Sequence, residues 1–450
     1  MLFLALLLAL CLIAGVACAM PPHDGMPITV AGQWTVKVGP GEVRLDGRTI
    51  RLPQAVRLHI ARPRSVHVHD EAHAGLPLFR PDAASWVRGL HPRPLAAQEC
   101  VATGLLVPGT MRIKAGPGAG QEFVQGRDWA MDEYWTAVGR LEGGSIRPDQ
   151  QVYLDYEYVP CRLDSIVVDA GGEVRVVQGT PAASLAHPPS LADGETAVAR
   201  VWLQGPTERL SDLNLYPIDP TVGGPLVGDG SAARLLPRTL AKLRNGEEVT
   251  IVAWGDSVTC GGGVGADQSL WYQYRFAAAL QKRFPQAKIR MLTAGWGGYS
   301  SRAYMDQPRG AEKDFVRDVL EPKPDLVTIE FVNDAYLSGD AFEKQYTEIM
   351  GHMNRIGAEV ILIAPHLVRP DWLGAADEPR FDNDPRPYVQ SLKAFGARHH
   401  IAVADASALW CRLWRQGIPY ITYEANWINH PDTRGMQLFV DALLRLFPER

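Results

Sequence analysis

Five short, continuous apolar runs in the second half of the chain limit its fold more than any other feature of the sequence. Continuous runs are typical of parallel strands, because helices cover both faces of a parallel sheet. Helical patterns separate the runs, and one of them puts Phe342, Tyr346 and Ile349 on a single face. We predict a doubly wound α/β domain of about five parallel strands, with its ligand site at their carboxyl ends. The runs are residues 249–253, 289–292, 326–331, 360–364 and 401–404.

In the first half of the chain, apolar residues recur at the two-residue spacing of β-strands. Val152, Leu154 and Tyr156 alternate with polar residues, which is typical of a half-buried strand. Two further apolar stretches flank the Gly-containing turn at residues 169–172, a pattern that predicts a hairpin. These patterns predict a β-rich, sandwich-like accessory domain. We set the domain boundaries at 30–215 for this domain, 216–231 for a linker rich in Gly and Pro, and 232–450 for the α/β domain.

The N-terminus has the composition of a secretory signal peptide. Residues 2–16 are almost wholly apolar, and Ala17-Cys18-Ala19 has the small-x-small form of a cleavage site. We therefore predict a signal peptide over residues 1–19, a secreted or periplasmic protein, and no integral membrane span after cleavage. Two alternatives remain open, namely an uncleaved anchor and lipid attachment at Cys18.

Composition excludes several classes of protein. With 46% hydrophobic residues and a net charge of −5, the chain has the balance of a globular protein and no basic excess for nucleic acid.

An exported protein can oxidise its thiols, so Cys100 and Cys161 are candidates for a disulfide. No C-x-x-C spacing occurs, and we expect neither a metal nor a cofactor. His67 and His69 could share a strand face as metal ligands, although an exposed loop is the favoured interpretation.

Polar turns follow the predicted strand ends, and two of them carry residues suited to nucleophilic catalysis. Ser257 comes directly after the first apolar run, where Gly255 permits a tight turn. A serine hydroxyl is a poor nucleophile until a base removes its proton, and an imidazole is suited to that role near neutral pH. His430 precedes the last predicted helix and is the candidate base. A helix N-cap is the alternative interpretation of Ser257.

The polar segments 254–259, 294–300, 331–334 and 428–432 together resemble the four sequence blocks of the SGNH hydrolases, also called GDSL-like esterases. The resemblance covers roughly residues 245–450. It implies a flavodoxin-like catalytic domain with Ser257 as the nucleophile and His430 as the base. It also implies an oxyanion hole formed by the backbone N–H groups of Ser257 and Gly298 and the side-chain amide of Asn333. Asp256 and Asp334 are expected to support these loops.

One departure from the family pattern leaves the third member of the catalytic triad open. Relatives carry an Asp three residues before the catalytic His, and Trp427 occupies that position here. Asn426 is a candidate, because its amide oxygen could orient the imidazole as in a Cys–His–Asn arrangement. A backbone carbonyl or Asp432 are the alternatives.

The predicted function is that of a secreted serine esterase that removes O-acetyl groups from carbohydrate. The partner would then be an acetylated polysaccharide or oligosaccharide, which the β-rich domain could hold. A lipase or lysophospholipase acting on long acyl chains is the second hypothesis. The third is a catalytically silent glycan-binding or assembly module. The sequence does not define the oligomeric state.

Overall fold

The computed structural model describes residues 25–45, 47–222, 228–375 and 377–448 of the 450-residue chain. The predicted signal peptide and Cys18 lie outside these residues. Within them, no helix combines the length and the apolar character that crossing a membrane requires.

The first part of the chain, up to Pro217, is built from seventeen short strands among the residues described. Antiparallel pairing joins them into small sheets with the orders β1-β2-β5, β3-β4, β10-β9-β13-β6, β7-β8, β11-β12 and β15-β14-β16-β17. The strands are β1 (Ile28–Gly32), β2 (Thr35–Val38), β3 (Gly41–Leu45), β4 (Arg48–Leu52), β5 (Val56–His59), β6 (Val66–His73), β7 (Ala96–Ala97), β8 (Cys100–Val101), β9 (Arg112–Lys114), β10 (Glu122–Phe123), β11 (Trp129–Asp132), β12 (Ala137–Arg140), β13 (Val152–Tyr158), β14 (Arg162–Val168), β15 (Val174–Val177), β16 (Thr196–Leu203) and β17 (Leu215–Pro217).

From Ala232 onward, strands alternate with helices, as predicted. The elements are α1 (Ala232–Leu235), α2 (Pro237–Asn245), β18 (Glu248–Gly255), α3 (Tyr272–Arg283), β19 (Lys288–Gly295), α4 (Ser301–Met305), β20 (Leu326–Glu330), α5 (Gly339–Ile356), β21 (Glu359–Ala364), α6 (Pro387–His399), β22 (Ala402–Asp405), α7 (Ala406–Cys411) and α8 (Thr433–Arg445). The first helical segment of this part is divided into α1 and α2, because Pro237 opens a new helix at its first position.

The five strands of this second part form one parallel sheet with the order β19-β18-β20-β21-β22. This is the 2-1-3-4-5 order of flavodoxin-like folds, which confirms the predicted fold class. The strand order reverses between β18 and β20. Ligands of doubly wound sheets bind outside the carboxyl ends of the strands at such a switch point, so the fold points to the loops after β18, β19 and β20.

Two apolar cores cover the faces of the parallel sheet, which explains the continuous apolar runs. On one face, Val249 and Ile251 of β18 pack with Phe276 of α3 and Phe439 of α8. On the other face, the core includes Trp254 of β18 together with residues of α5 and α6.

The β-rich part packs directly on the segment that precedes α8. Its largest apolar core includes Trp202 and Tyr216, and the same core takes in Trp427 and Ile428 from the second part of the chain. Arg369 is buried at this boundary, with its guanidinium 4.0 Å from the ring centroid of Trp135. The two parts therefore share a continuous apolar core.

In the β-rich part, the structure answers the open question of the disulfide and corrects the expected position of two histidines. Cys100 and Cys161 are free, buried thiols, so no disulfide links them. Cys100 pairs with Ala97 in the β7-β8 hairpin, whereas Cys161 forms a β-bridge with Ala182. His67 and His69 lie on strand β6 instead of a loop. The imidazole of His67 pairs with Glu157, and no group of three or more metal-ligating side chains occurs among the described residues.

Candidate functional site

The loop after β18 carries Ser257 at the carboxyl edge of the sheet. A Cβ atom at Gly255 would lie 2.4 Å from the Glu330 carbonyl oxygen, so only glycine allows the strands to approach this closely. The chain after Ser257 continues as turns, and the N–H of Gly262 donates to the Ser257 carbonyl at 2.8 Å. Since α3 begins only at Tyr272, Ser257 is not the N-cap of a helix.

The structure brings Ser257 and His430 together from positions 173 residues apart. His430 Nε2 lies 3.0 Å from Ser257 Oγ, which is hydrogen-bonding distance. The glycine-rich turn after Ser257 packs against the same ring, because a Cβ at Gly262 would lie 3.1 Å from the imidazole. A side chain at position 262 would therefore push against the imidazole.

The segment before His430 is fixed by Asn426. The Asn426 amide oxygen accepts the backbone N–H groups of Ile428, Asn429 and His430, each at 2.9 Å. Trp427 takes the left-handed conformation, with φ of 60°, and its side chain is buried in the core shared with the β-rich part. The Asn426 amide oxygen, one of the candidates to orient the imidazole, is therefore engaged by the backbone of the loop instead.

The side chain that contacts the second ring nitrogen of His430 belongs to Glu99, a residue that the sequence analysis did not single out. His430 Nδ1 lies 2.9 Å from a carboxylate oxygen of Glu99, in the β-rich part. Glu99 and Gln98 form the two-residue turn between β7 and β8, in which Ala97 pairs with Cys100. Gln98 has φ of 52°, as tight hairpin turns require.

The Glu99 carboxylate has a second partner in the His430 loop. The Asn426 side-chain N–H₂ group donates to the same oxygen at 2.9 Å. Burial opposes ionisation of Glu99, but the hydrogen bonds from His430 and Asn426 outweigh it and lower its pKa to about 2. Glu99 is therefore ionised at neutral pH.

The Asn333 side chain lies in the loop after β20 and is oriented by Asp256. Both the backbone N–H of Asn333, at 3.0 Å, and its side-chain N–H₂ group, at 2.9 Å, donate to one Asp256 oxygen. Asp256 is fully buried, and burial raises its pKa. One amide hydrogen of Asn333 is thus committed to Asp256, while the second is available to a ligand.

The loop after β19 brings Gly297 and Gly298 to the nucleophile. A Cβ built at Gly297 would lie 3.6 Å from the Ser257 Cβ, so this loop borders the serine. Gly298 has φ of 79°, the left-handed region that favours glycine. A Cβ at Gly298 would meet no protein atom within 4 Å, so conformation, not crowding, explains the glycine in the free protein.

The other predicted residues have structural partners. Asp334 is buried and accepts the backbone N–H and the hydroxyl of Ser301, which ties the loop after β20 to the start of α4. Asp432 caps α8 by accepting the N–H groups of Arg434 and Gly435. It is therefore engaged away from the imidazole, which removes it as the third triad member.

A flavodoxin-like sheet with serine, glycine, asparagine and histidine on the loops at its carboxyl edge is the arrangement of the SGNH class of hydrolases. Residues 253–438 match the family model described as the GDSL-like Lipase/Acylhydrolase family. The second part of this chain is a GDSL-like lipase/acylhydrolase domain, as the resemblance predicted.

Several solved structures are similar to parts of the chain. One is a two-domain esterase active on acetylated mannans, with 20% identity and a TM-score of 0.39 over 49% of this chain and 53% of that one. Another is Axe2, an acetylxylan esterase from Geobacillus stearothermophilus, with 18% identity and a TM-score of 0.35 over 45% and 95%. The chain thus spans about half the length of the two-domain esterase. No curated protein matches the chain significantly.

Proposed function

We propose that the protein is a secreted serine esterase that removes O-acetyl groups from carbohydrate, with Ser257 as the nucleophile and His430 as the general base. The observation that carries this proposal is the 3.0 Å distance between Ser257 Oγ and His430 Nε2 at the switch point of the sheet. The apolar segment at residues 2–16 supports export.

The proposed reaction proceeds through an acyl-enzyme. Ser257 Oγ attacks the acetyl carbonyl carbon while its proton passes to His430 Nε2. The resulting oxyanion would be stabilised by the N–H groups of Ser257 and Gly298 and the free amide hydrogen of Asn333. The bond to the sugar oxygen then breaks, and His430 returns the proton to that oxygen. Water, deprotonated by His430, attacks the acetyl-serine, releases acetate and restores the Ser257 hydroxyl.

The surroundings of Ser257 suit a bulky, hydrophilic alcohol. Gly297, Gly298 and Tyr299 are exposed, so one side of the nucleophile opens to solvent. The Tyr299 ring stacks on Trp296 with centroids 3.4 Å apart, which gives this rim a flat aromatic surface. Aromatic surfaces of this kind can pack against the apolar face of a sugar ring.

A second feature that suits a glycan is a cleft of about 390 Å³ that both parts of the chain line. Its walls combine aromatic side chains with amide and guanidinium groups, a mixture that suits a polyhydroxylated ligand. Among them are Tyr134, Trp202 and Gln204 from the β-rich part, and Arg369 and Trp427 from the other.

Acetate release from a panel of esters tests the proposed function. The panel contains acetylated mannan, acetylated xylan and, for comparison, long-chain acyl esters and lysophospholipid. We expect the purified protein to release acetate from at least one acetylated glycan and to cleave the long-chain esters at least tenfold more slowly. The Ser257→Ala variant, purified in parallel, controls for contaminating esterases.

The other outcomes of this test separate the alternatives. Faster cleavage of the long-chain esters would replace the glycan proposal by a lipase. No hydrolysis by the folded protein, together with no labelling by a serine-directed phosphonate, would favour the catalytically silent glycan-binding module.

The Asn333→Ala variant tests the oxyanion hole. Because the proposed amide donor acts on charge that develops only in the transition state, we expect kcat to fall roughly 10²- to 10³-fold with little change in KM. The measurement is steady-state kinetics on the best ester of the panel. Asn333→Asp has the same size but brings negative charge, and it should be at least as damaging. A higher KM at unchanged kcat would instead assign Asn333 to ground-state binding.

A further inference from the structure

We infer that Glu99, in the β-rich part, is the third member of the triad of the proposed esterase, and that Asn426 is its positioning residue. The carboxylate oxygen lies 2.9 Å from His430 Nδ1, on the opposite side of the ring from Ser257. This inference rests on the proposed function and adds to it that the β-rich part supplies a group to the active site.

The hydrogen-bonding capacities of the two side chains define the tautomer of the imidazole. An ionised carboxylate only accepts hydrogen bonds, so Nδ1 must carry the proton that lies between His430 and Glu99. In the neutral ring, Nε2 is then the acceptor for the Ser257 hydroxyl, which is the form that a general base needs. When Nε2 gains a proton, the carboxylate stabilises the positive charge of the ring.

Glu99 is held by a short, well-anchored hairpin. The residues on both sides of the turn, Ala97 and Cys100, are buried, and so are Leu95 and Val101. The backbone that carries Glu99 is therefore fixed by the apolar core, although the Glu99 side chain itself is 52% exposed. A group of this kind can be oriented accurately while its carboxylate stays ionised.

Asn426 joins the two halves of this arrangement. Its amide oxygen binds three backbone N–H groups of the His430 loop, and its N–H₂ group donates to Glu99. The next residue, Trp427, is buried in the core shared with the β-rich part. One short segment thus sets the loop that bears the base and docks it against the part of the chain that bears the acid.

Kinetics of Glu99 variants test the inference. We expect Glu99→Ala to lower kcat roughly 10³-fold with KM little changed, because the ring loses both its orientation and its counter-charge. Glu99→Gln loses the counter-charge and can turn its N–H₂ group toward Nδ1, which favours the wrong tautomer, so it should also lose roughly 10³- to 10⁴-fold. Glu99→Asp, which keeps the carboxylate, should retain most activity. Glu122→Gln, at an exposed glutamate on β10, is the matched control and should behave as wild type.

A pH profile separates catalysis from a merely structural role. Without the carboxylate that stabilises the protonated ring, the acidic limb of kcat/KM should move to lower pH in Glu99→Gln. Among the described residues, Asp256 and His366 also interact with the charge of His430, and neither is altered in this variant. Lower activity with an unchanged profile and a lower melting temperature would overturn the inference.

Two results distinguish failure of this inference from failure of the proposed function. If Ser257→Ala is inactive while Glu99→Ala keeps wild-type kcat, the esterase stands and the role of Glu99 falls. If the protein hydrolyses no ester, NMR of the His430 ring still tests the contact. A hydrogen-bonded Nδ1 proton should appear far downfield in the wild type and be lost in Glu99→Ala, and its absence in the wild type would contradict the inference.

Discussion

Replacing Ser257 by alanine should lower kcat by roughly 10⁴- to 10⁶-fold without unfolding the protein. The variant removes only the hydroxyl oxygen, and Ser257 is partly exposed, so little packing is lost. What remains is the oxyanion hole and substrate binding, which alone give roughly 10³- to 10⁴-fold catalysis over water. The measurement is acetate release together with labelling by a serine-directed phosphonate, monitored by intact mass.

The control for this experiment is Ser190→Ala, at an exposed serine of the β-rich part, which should keep full activity and full labelling. Labelling that persists in Ser257→Ala would assign the nucleophile to another residue. Cys260, three positions further on, would then be examined, although burial raises the pKa of its thiol and makes it a poor nucleophile.

The His430→Ala variant should be as inactive as Ser257→Ala, with a loss of roughly 10⁶-fold in kcat at most. Without the imidazole, the Ser257 hydroxyl keeps its proton and its attack is slow. Phosphonate labelling should therefore still occur in this variant, but far more slowly than in the wild type.

The double variant Ser257→Ala/His430→Ala makes the prediction for the pair sharper. When a nucleophile and its base act as one unit, removing either one already abolishes their joint contribution to kcat. The double variant should therefore be no slower than either single variant. Losses that multiply would mean that the two side chains act independently, and would contradict a nucleophile–base pair in spite of their 3.0 Å separation.

Most of the α/β fold could be predicted from the sequence because its determinants are local. Buried parallel strands are continuous apolar runs, and the helices between them repeat their apolar residues at helical spacing. Periodicity does not predict the break that a single residue introduces into a helix. Pro237 separates α1 from α2, since a proline cannot donate a backbone hydrogen bond inside a helix.

The candidate site was predictable only in part, because only some of its residues are placed by local sequence patterns. Ser257 and Asn333 each follow a strand of one sheet, so their proximity follows from the topology. Glu99 lies 327 residues before Asn426, in the β7-β8 hairpin outside the parallel sheet. No spacing rule connects the two residues. The one local signal was that Asn426 and Trp427 stand where an acid would be expected before His430, which indicated that an acid was missing from those positions without indicating where it lay.

The shared core around Trp427 has a consequence for how such a chain can evolve. Here, a recombination event that replaced the N-terminal half would remove both the carboxylate that faces His430 and the apolar surface that buries Trp427. We therefore expect the two halves to be inherited together, with substitutions at one side of their boundary accompanied by changes at the other.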